Sequence, residues 1–289
     1  MGDNTIQLSA LDGENTILLS SLDNEENDNR EEIQYLLDYC SDIGTKKKVN
    51  QDACCVRILK TSEHTIVLAV VCDGVGGMVE GEYASNNTVL NFHNWFDYSL
   101  SKVVIEKKEG ALFEQLCEDM KELIIKQNEA VYSYAGEKGI QTGTTVTAML
   151  FVDHNYFIAQ VGDSRAYQVY DGLMQLTEDQ SFVAAEVRAG RMTRQEARHD
   201  KRRNIILQCL GATPFIEPEY VTGTVQKGAV YFLCSDGFVH ELENNEIENI
   251  MNPKAMSDMN TAHDRLLSAI QTVKDRGEKD NITVVLIRT

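Results

Sequence analysis

Residues 68–85 read LAVVCDGVGGMVEGEYAS. An apolar run ends on Asp73, and glycine then fills four of the next eight positions. Branched apolar residues in an unbroken run form a buried strand. A carboxylate at its end, followed by a stretch with few side chains, leaves room for something to approach the backbone.

The same device recurs along the chain. Asp52 opens DACCVRIL, Asp163 follows YFIAQVG, Asp236 follows AVYFLCS, and Asp280 precedes NITVVLIR. A single Asp-Gly pair is ordinary turn chemistry. Several acids at the ends of strongly apolar strands, if they converge, repel one another and raise their proton affinities unless cations lie between them. Hard divalent ions such as Mg²⁺ or Mn²⁺ suit oxygen ligands and keep part of their water. Two of them about 3.5–4 Å apart share a water, lower its pKa and hold a phosphoryl oxygen.

The remaining pattern sets a frame for that site. YLLDYCSDIG, DACCVRIL and TIVLAVVCD read as strands, followed by helix over EYASNNTVLNFHNWF and LFEQLCEDMKELIIKQNEAVYSYA. In the second helix Leu112, Leu116, Met120, Leu123 or Ile124, and Val131 make one apolar stripe. TTVTAMLFVD, YFIAQVGD and SRAYQVYDG return to strand, the last with an Asp-Gly turn. Residues 176–210 are charged, arginine-rich and helical, an insert beside the main body. EYVTGTV, AVYFLCSD, a helix from about Met256 to Lys274 and NITVVLIR complete the order. Strands in runs, with long helices between the runs, predict an α+β fold of two packed antiparallel sheets. Residues 33–289 read as one domain; residues 1–32 alternate short apolar patches with acidic turns, either an added strand or hairpin or a disordered extension.

Composition narrows the function classes. In 289 residues, 45 acidic against 27 basic side chains give a formal charge of −18, which argues against nucleic acid and suits a cation partner. The longest apolar runs are far short of a membrane span, and no basic-then-apolar leader opens the chain. Seven cysteines without regular spacing, several inside apolar runs, read as buried thiols in a reducing, cytoplasmic setting. Cys72 and Cys234 adjoin acidic positions, but the strand period turns Cys72 to the face opposite Asp73.

The set GTKKKVNQDA, VVCDGVGGMVEGEYAS, GTTVTAML, VGDSRAYQV, RNIILQCLG, CSDGF and KDNITVVLI resembles, in order and over nearly all the chain after residue 35, the metal-dependent serine/threonine protein phosphatases of the type-2C or PPM family. The DGVGG form is nearer the bacterial branch than the DGHGG form of animal members. The resemblance implies a sandwich of two antiparallel sheets with helices on both outer faces and a helical flap at 176–210. It makes Asp73 the ligand shared by two Mn²⁺ or Mg²⁺ ions, with the Gly74 carbonyl on one and Asp236 and Asp280 on the other. Asp52 orients the attacking water, and Asp163 matches the position for a third, weaker ion. The implied reaction is direct attack of a metal-bridging hydroxide on phosphoserine or phosphothreonine, with no phosphoenzyme. Phosphorylated proteins, including Ser/Thr kinases and their targets, are the implied partners of a monomer.

Departures from the family pattern bear on activity. Lys47 stands where members usually carry a phosphate-gripping arginine, with Lys46 or Lys48 as substitutes in an uncertain register. Gln51 replaces the glutamate before Asp52, removing one charge and predicting weaker binding of the second ion. Val75 and Met78 occupy histidine positions, so no side-chain general acid is visible. Gln180 and Asp200 also depart from the usual flap residues. The flap arginines, Arg188, Arg191, Arg194, Arg198, Arg202 and Arg203, suit acidic or phosphorylated partners, or the chain's own acidic surface. Lys47 and Gln51 leave open an alternative: a phosphatase-fold regulator that binds phosphopeptides or metal without turnover. An unrelated metallohydrolase or nuclease is opposed by the motif order and the acidity.

Overall fold

The computed structural model describes residues 5–9, 33–106 and 111–289. The expectation for residues 1–32 lies outside the described residues except at Thr5–Ser9, which form an edge strand, β1.

The first sheet has six strands in the order β1-β3-β4-β5-β6-β9, all antiparallel neighbours. After β1 come β3 (Asp52–Lys60), β4 (Thr65–Asp73), β5 (Val146–Val152), β6 (Asn155–Val161) and β9 (Glu219–Thr224). The second has five: β2 (Leu36–Asp42), β11 (Ile282–Arg288), β10 (Val230–Cys234), β7 (Arg165–Val169) and β8 (Leu173–Gln175), in that spatial order.

Strand periodicity builds the layers. From β4, Ile66, Leu68, Val70 and Cys72 face outward onto α1 (Gly81–Asn94) and α3 (Leu112–Lys138), meeting Phe92, Leu116, Met120 and Ile124. Ile124 is buried and Leu123 packs partly against the same cluster. The alternate residues Val67, Ala69 and Val71 face inward onto Tyr231, Leu233, Val285 and Ile287 of the other sheet. Outside that sheet, Phe232, Val284 and Leu286 pack on Leu266, Ile270 and Val273 of α8 (Met259–Asp275). Helix, sheet, sheet and helix therefore stack in four layers. All seven cysteines are buried free thiols, with Cys72 in the first apolar layer and Cys234 in the third.

Several helices escaped the sequence pattern. Trp95–Leu100 is a π-helical turn leading into α2 (Ser101–Glu106). The flap, by contrast, holds the short helices expected of it, α4 (Phe182–Arg188) and α5 (Arg194–His199), the latter opened by a Thr193–Glu196 capping box. Between β10 and α8 lie α6 (Asp236–Val239) and α7 (Asn244–Ile250), each too short to show an apolar stripe. No helix among the described residues is long and apolar enough to cross a membrane.

Candidate active site

The antiparallel registers bring the acids to one end of the sandwich. Asp52, at the start of β3, lies directly opposite Asp73, at the end of β4. Both continue the inward-facing rows of their strands, since Ala53 and Cys72 belong to the outer layer. At the same end of the second sheet, Cys234 pairs with Val284 and with Arg165, which places Asp236 just past β10, Asp280 just before β11 and Asp163 just before β7.

Each acid is held by its own surroundings. The Asp73 backbone N–H donates to Thr145 Oγ1 (2.9 Å), and its carbonyl accepts from the Thr145 N–H (2.8 Å) and Thr144 Oγ1 (2.9 Å). Ser235 Oγ donates to Asp52 Oδ2 (2.9 Å) and accepts the Thr283 N–H (3.0 Å), linking the two sheets. Asp280 Oδ1 accepts the Asn281 N–H (2.8 Å) and pairs with the Lys47 ammonium at 2.6 Å. The turn bearing Asp163 is fastened to the root of the flap, for Gln180 Oε1 accepts the Gly162 N–H at 2.9 Å.

The glycines after the acids are sites of close backbone approach. A Cβ on Gly74 would lie 2.6 Å from the Gly81 carbonyl and 2.8 Å from that of Gln51. One on Gly237 would lie 2.1 Å from the Asn281 carbonyl.

Electrostatically the centre is short of positive charge. Burial pushes Asp52 up to about 7, with the charges of Asp236 and Asp280 adding to it. Asp163 is pushed up to about 8 by burial and then by Asp236. Burial first, then carboxylate neighbours, also raises Asp73 and Asp236. For Lys47, burial alone would lower the pKa, yet Asp280, Asp73 and Asp52 together leave it raised.

The donor set fits divalent cations. Asp52 Oδ1 and Asp236 Oδ1 are buried with no hydrogen-bond partner among the described residues, an expensive state for a carboxylate oxygen unless a cation meets it. Among the described residues no three His, Cys, Asp or Glu side chains enclose a point by themselves. Hard ions that retain several waters do not require that they should.

Gln51 and Lys47 take particular partners. Gln51 Nε2 donates to Glu82 Oε2 at 3.0 Å, while its backbone N–H donates to Asn281 Oδ1 at 2.9 Å. Lys47 Nζ would lie 3.5 Å from a Cβ on Gly76, so it reaches over the glycine loop. Five flap arginines pair with the chain's own acids: Arg188–Glu178, Arg191–Glu186, Arg198–Glu243, Arg202–Asp200 and Arg203–Glu241. That is the second of the two readings left open for them.

Sequence reasoning passed over Ser235, Asn281, Glu82, Glu278 and His240. Ser235 and Asn281 stand beside acidic positions, and His240 follows Asp236 at helical spacing, so those three carried a local signal. Glu82 stood inside the motif VVCDGVGGMVEGEYAS without a role assigned to it, and Glu278 was not singled out. His240 lies with Nε2 3.5 Å from Asp236 Oδ2 and Nδ1 3.6 Å from Glu278 Oε2.

Comparison with known proteins places this geometry. A family model described as Protein phosphatase 2C matches residues 44–279. Protein phosphatase PhpP of Streptococcus pneumoniae is 30% identical over 249 residues, 86% of this chain and 94% of PhpP. The crystal structure of the Staphylococcus aureus serine/threonine phosphatase Stp1 superposes with a TM-score of 0.74 at 27% identity, covering 92% of this chain and 99% of that one. The catalytic domain of the serine/threonine protein phosphatase PstP, in complex with two manganese ions, superposes with a TM-score of 0.68 at 26% identity, covering 88% and 99%.

Proposed function

The chain belongs to the protein phosphatase 2C family, and from that premise we propose how its own residues carry the hydrolysis. It is a metal-dependent protein serine/threonine phosphatase acting on phosphorylated proteins. The catalytic machinery lies within residues 33–289.

Asp73, the Gly74 carbonyl, Asp236 and Asp280 would hold two divalent ions, Mn²⁺ or Mg²⁺, and Asp163 would serve a third, weaker position. Ions bound there lower the pKa of a water and offset charge on the phosphoryl oxygens. Asp52, anchored by Ser235 Oγ at 2.9 Å, keeps one carboxylate oxygen free to orient that water. Lys47 reaches over the glycine loop and meets the substrate phosphate as a mobile point charge. Gln51 acts through Glu82, fixing the start of α1 against the centre. With Val75 and Met78 in the histidine positions, the leaving oxygen takes its proton from water. Ser/Thr kinases and their targets are the partners that this chemistry serves.

One observation carries the assignment of residues: Asp52 and Asp73 meet at the same end of the sandwich as Asp236 and Asp280, with buried carboxylate oxygens left unpartnered among the described residues. The test is hydrolysis of a phosphothreonine peptide and of para-nitrophenyl phosphate with Mn²⁺, beside EDTA and Asp236→Ala. Turnover should vanish in both controls. Turnover that survived Asp236→Ala would remove that residue from the centre.

A further inference from the structure

Asp236 and Asp280 come from different elements, one opening α6 and the other preceding β11. For two side chains to share an ion, their separation has to be held to within about 0.5 Å. Backbone contact supplies part of this, since Gly237 packs on the Asn281 carbonyl and the Ser235 N–H donates to Thr283 O at 3.0 Å. Neither contact restrains the Asp236 carboxylate itself.

His240 does. It follows α6, and its backbone N–H donates to Asp236 O at 3.0 Å. Its imidazole is 13% exposed and stands between two carboxylates, 3.5 Å from Asp236 Oδ2 and 3.6 Å from Glu278 Oε2. Glu278 completes the connection. Its Oε1 accepts the N–H of Lys279 (2.6 Å) and of Asp280 (3.0 Å), and so grips the backbone of the second ligand. Its buried Oε2 has no hydrogen-bond partner among the described residues and lies 3.6 Å from the imidazole. A continuous series of contacts thus runs from the Asp236 carboxylate through His240 and Glu278 to the Asp280 main chain. The far side of the strut is braced by the flap, where Arg198 Nη2 donates to His240 O at 3.3 Å.

We propose that His240 is a positioning residue: seated between Asp236 and Glu278, it sets the spacing of Asp236 from Asp280 and thereby the affinity of the ion they share. This rests on the reading of those two aspartates as common ligands. Partners that orient a metal ligand commonly change metal affinity about 10–100-fold when removed.

Calorimetric titration of metal-free protein with Mn²⁺ tests it, alongside thermal unfolding in EDTA. His240→Ala should weaken one Mn²⁺ binding event about tenfold and leave the other unchanged. His240→Gln, which keeps an amide donor toward a carboxylate, should recover part of the loss. Unchanged binding in His240→Ala would overturn the proposal. So would equal weakening of both events, with a lowered Tm in EDTA and no recovery in His240→Gln, which would make the residue merely structural. Complete loss of one event would make His240 a ligand instead. Asp236→Asn is the control for the underlying reading: if it retains both binding events at full affinity, the shared-ligand assignment fails, whatever His240→Ala does.

Discussion

The Lys47 ammonium lies 2.6 Å from Asp280 Oδ1, a residue 233 positions later in the chain. One cation therefore ties the Lys47 loop to Asp280, and on the proposed reading that loop also meets substrate while Asp280 holds metal. A phosphate and a divalent ion both compete for that contact, the first for the lysine and the second for the aspartate. Lys47→Met should raise the KM for a phosphothreonine peptide about tenfold, the worth of a charged hydrogen bond, with a smaller change in kcat. It should also lower the Mn²⁺ concentration needed for half-saturation, because the competing charge is gone. An unaltered KM would show that Lys46 or Lys48 grips the phosphate.

Gln51 donates to Glu82, so Gln51→Glu sets two carboxylates against each other. Repulsion and a lost hydrogen bond should destabilise the metal-free protein by about 1–3 kcal/mol. The added charge should in turn lower the Mn²⁺ demand for half-maximal rate. A variant needing the same or more Mn²⁺ would separate Gln51 from metal binding.

Gly74→Ala brings a methyl group to 2.6 Å from the Gly81 carbonyl. Backbone has to move, at a cost of about 1–3 kcal/mol. Both the Tm in EDTA and Mn²⁺ affinity should fall. A variant with native Tm and native Mn²⁺ titration would show that the loop has slack.

The raised carboxyls imply a particular pH response for metal-free protein. Asp52, at about 7, and Asp163, at about 8, hold protons in the folded state that an unfolded chain releases near pH 4. Their contribution is complete below that and is lost as pH rises through 7 to 8. In EDTA the Tm should decline between pH 5 and 8. Saturating Mn²⁺ should stabilise most strongly at the upper end of the range, because the cations favour the ionised carboxylates. An interval between the EDTA and Mn²⁺ curves that stayed constant with pH would refute this.

Apolar runs that end on acids made the five acidic positions visible before any coordinates, while their convergence stayed open. Strand ends can be read locally, and Asp52, Asp73, Asp163, Asp236 and Asp280 all stand at or within two residues of one. The core stripe of α3 was equally plain, for an amphipathic helix of 27 residues repeats its pattern many times. The four residues of α6 repeat nothing, and they carry Asp236. Charge on the flap was legible, but its use was not, since Arg198 finds Glu243 and the carbonyl of His240 only through packing.

By itself the sequence determined the two sheets, the faces of their strands and the acids at their ends, because strand period and apolar run length act over a few residues. Only the tertiary structure decided which groups those acids meet. Gln51 is 31 residues from Glu82 and 230 from Asn281, and Ser235 is 183 from Asp52. Contacts over such spans depend on sheet register and on how two sheets pack, and no short stretch of residues encodes either.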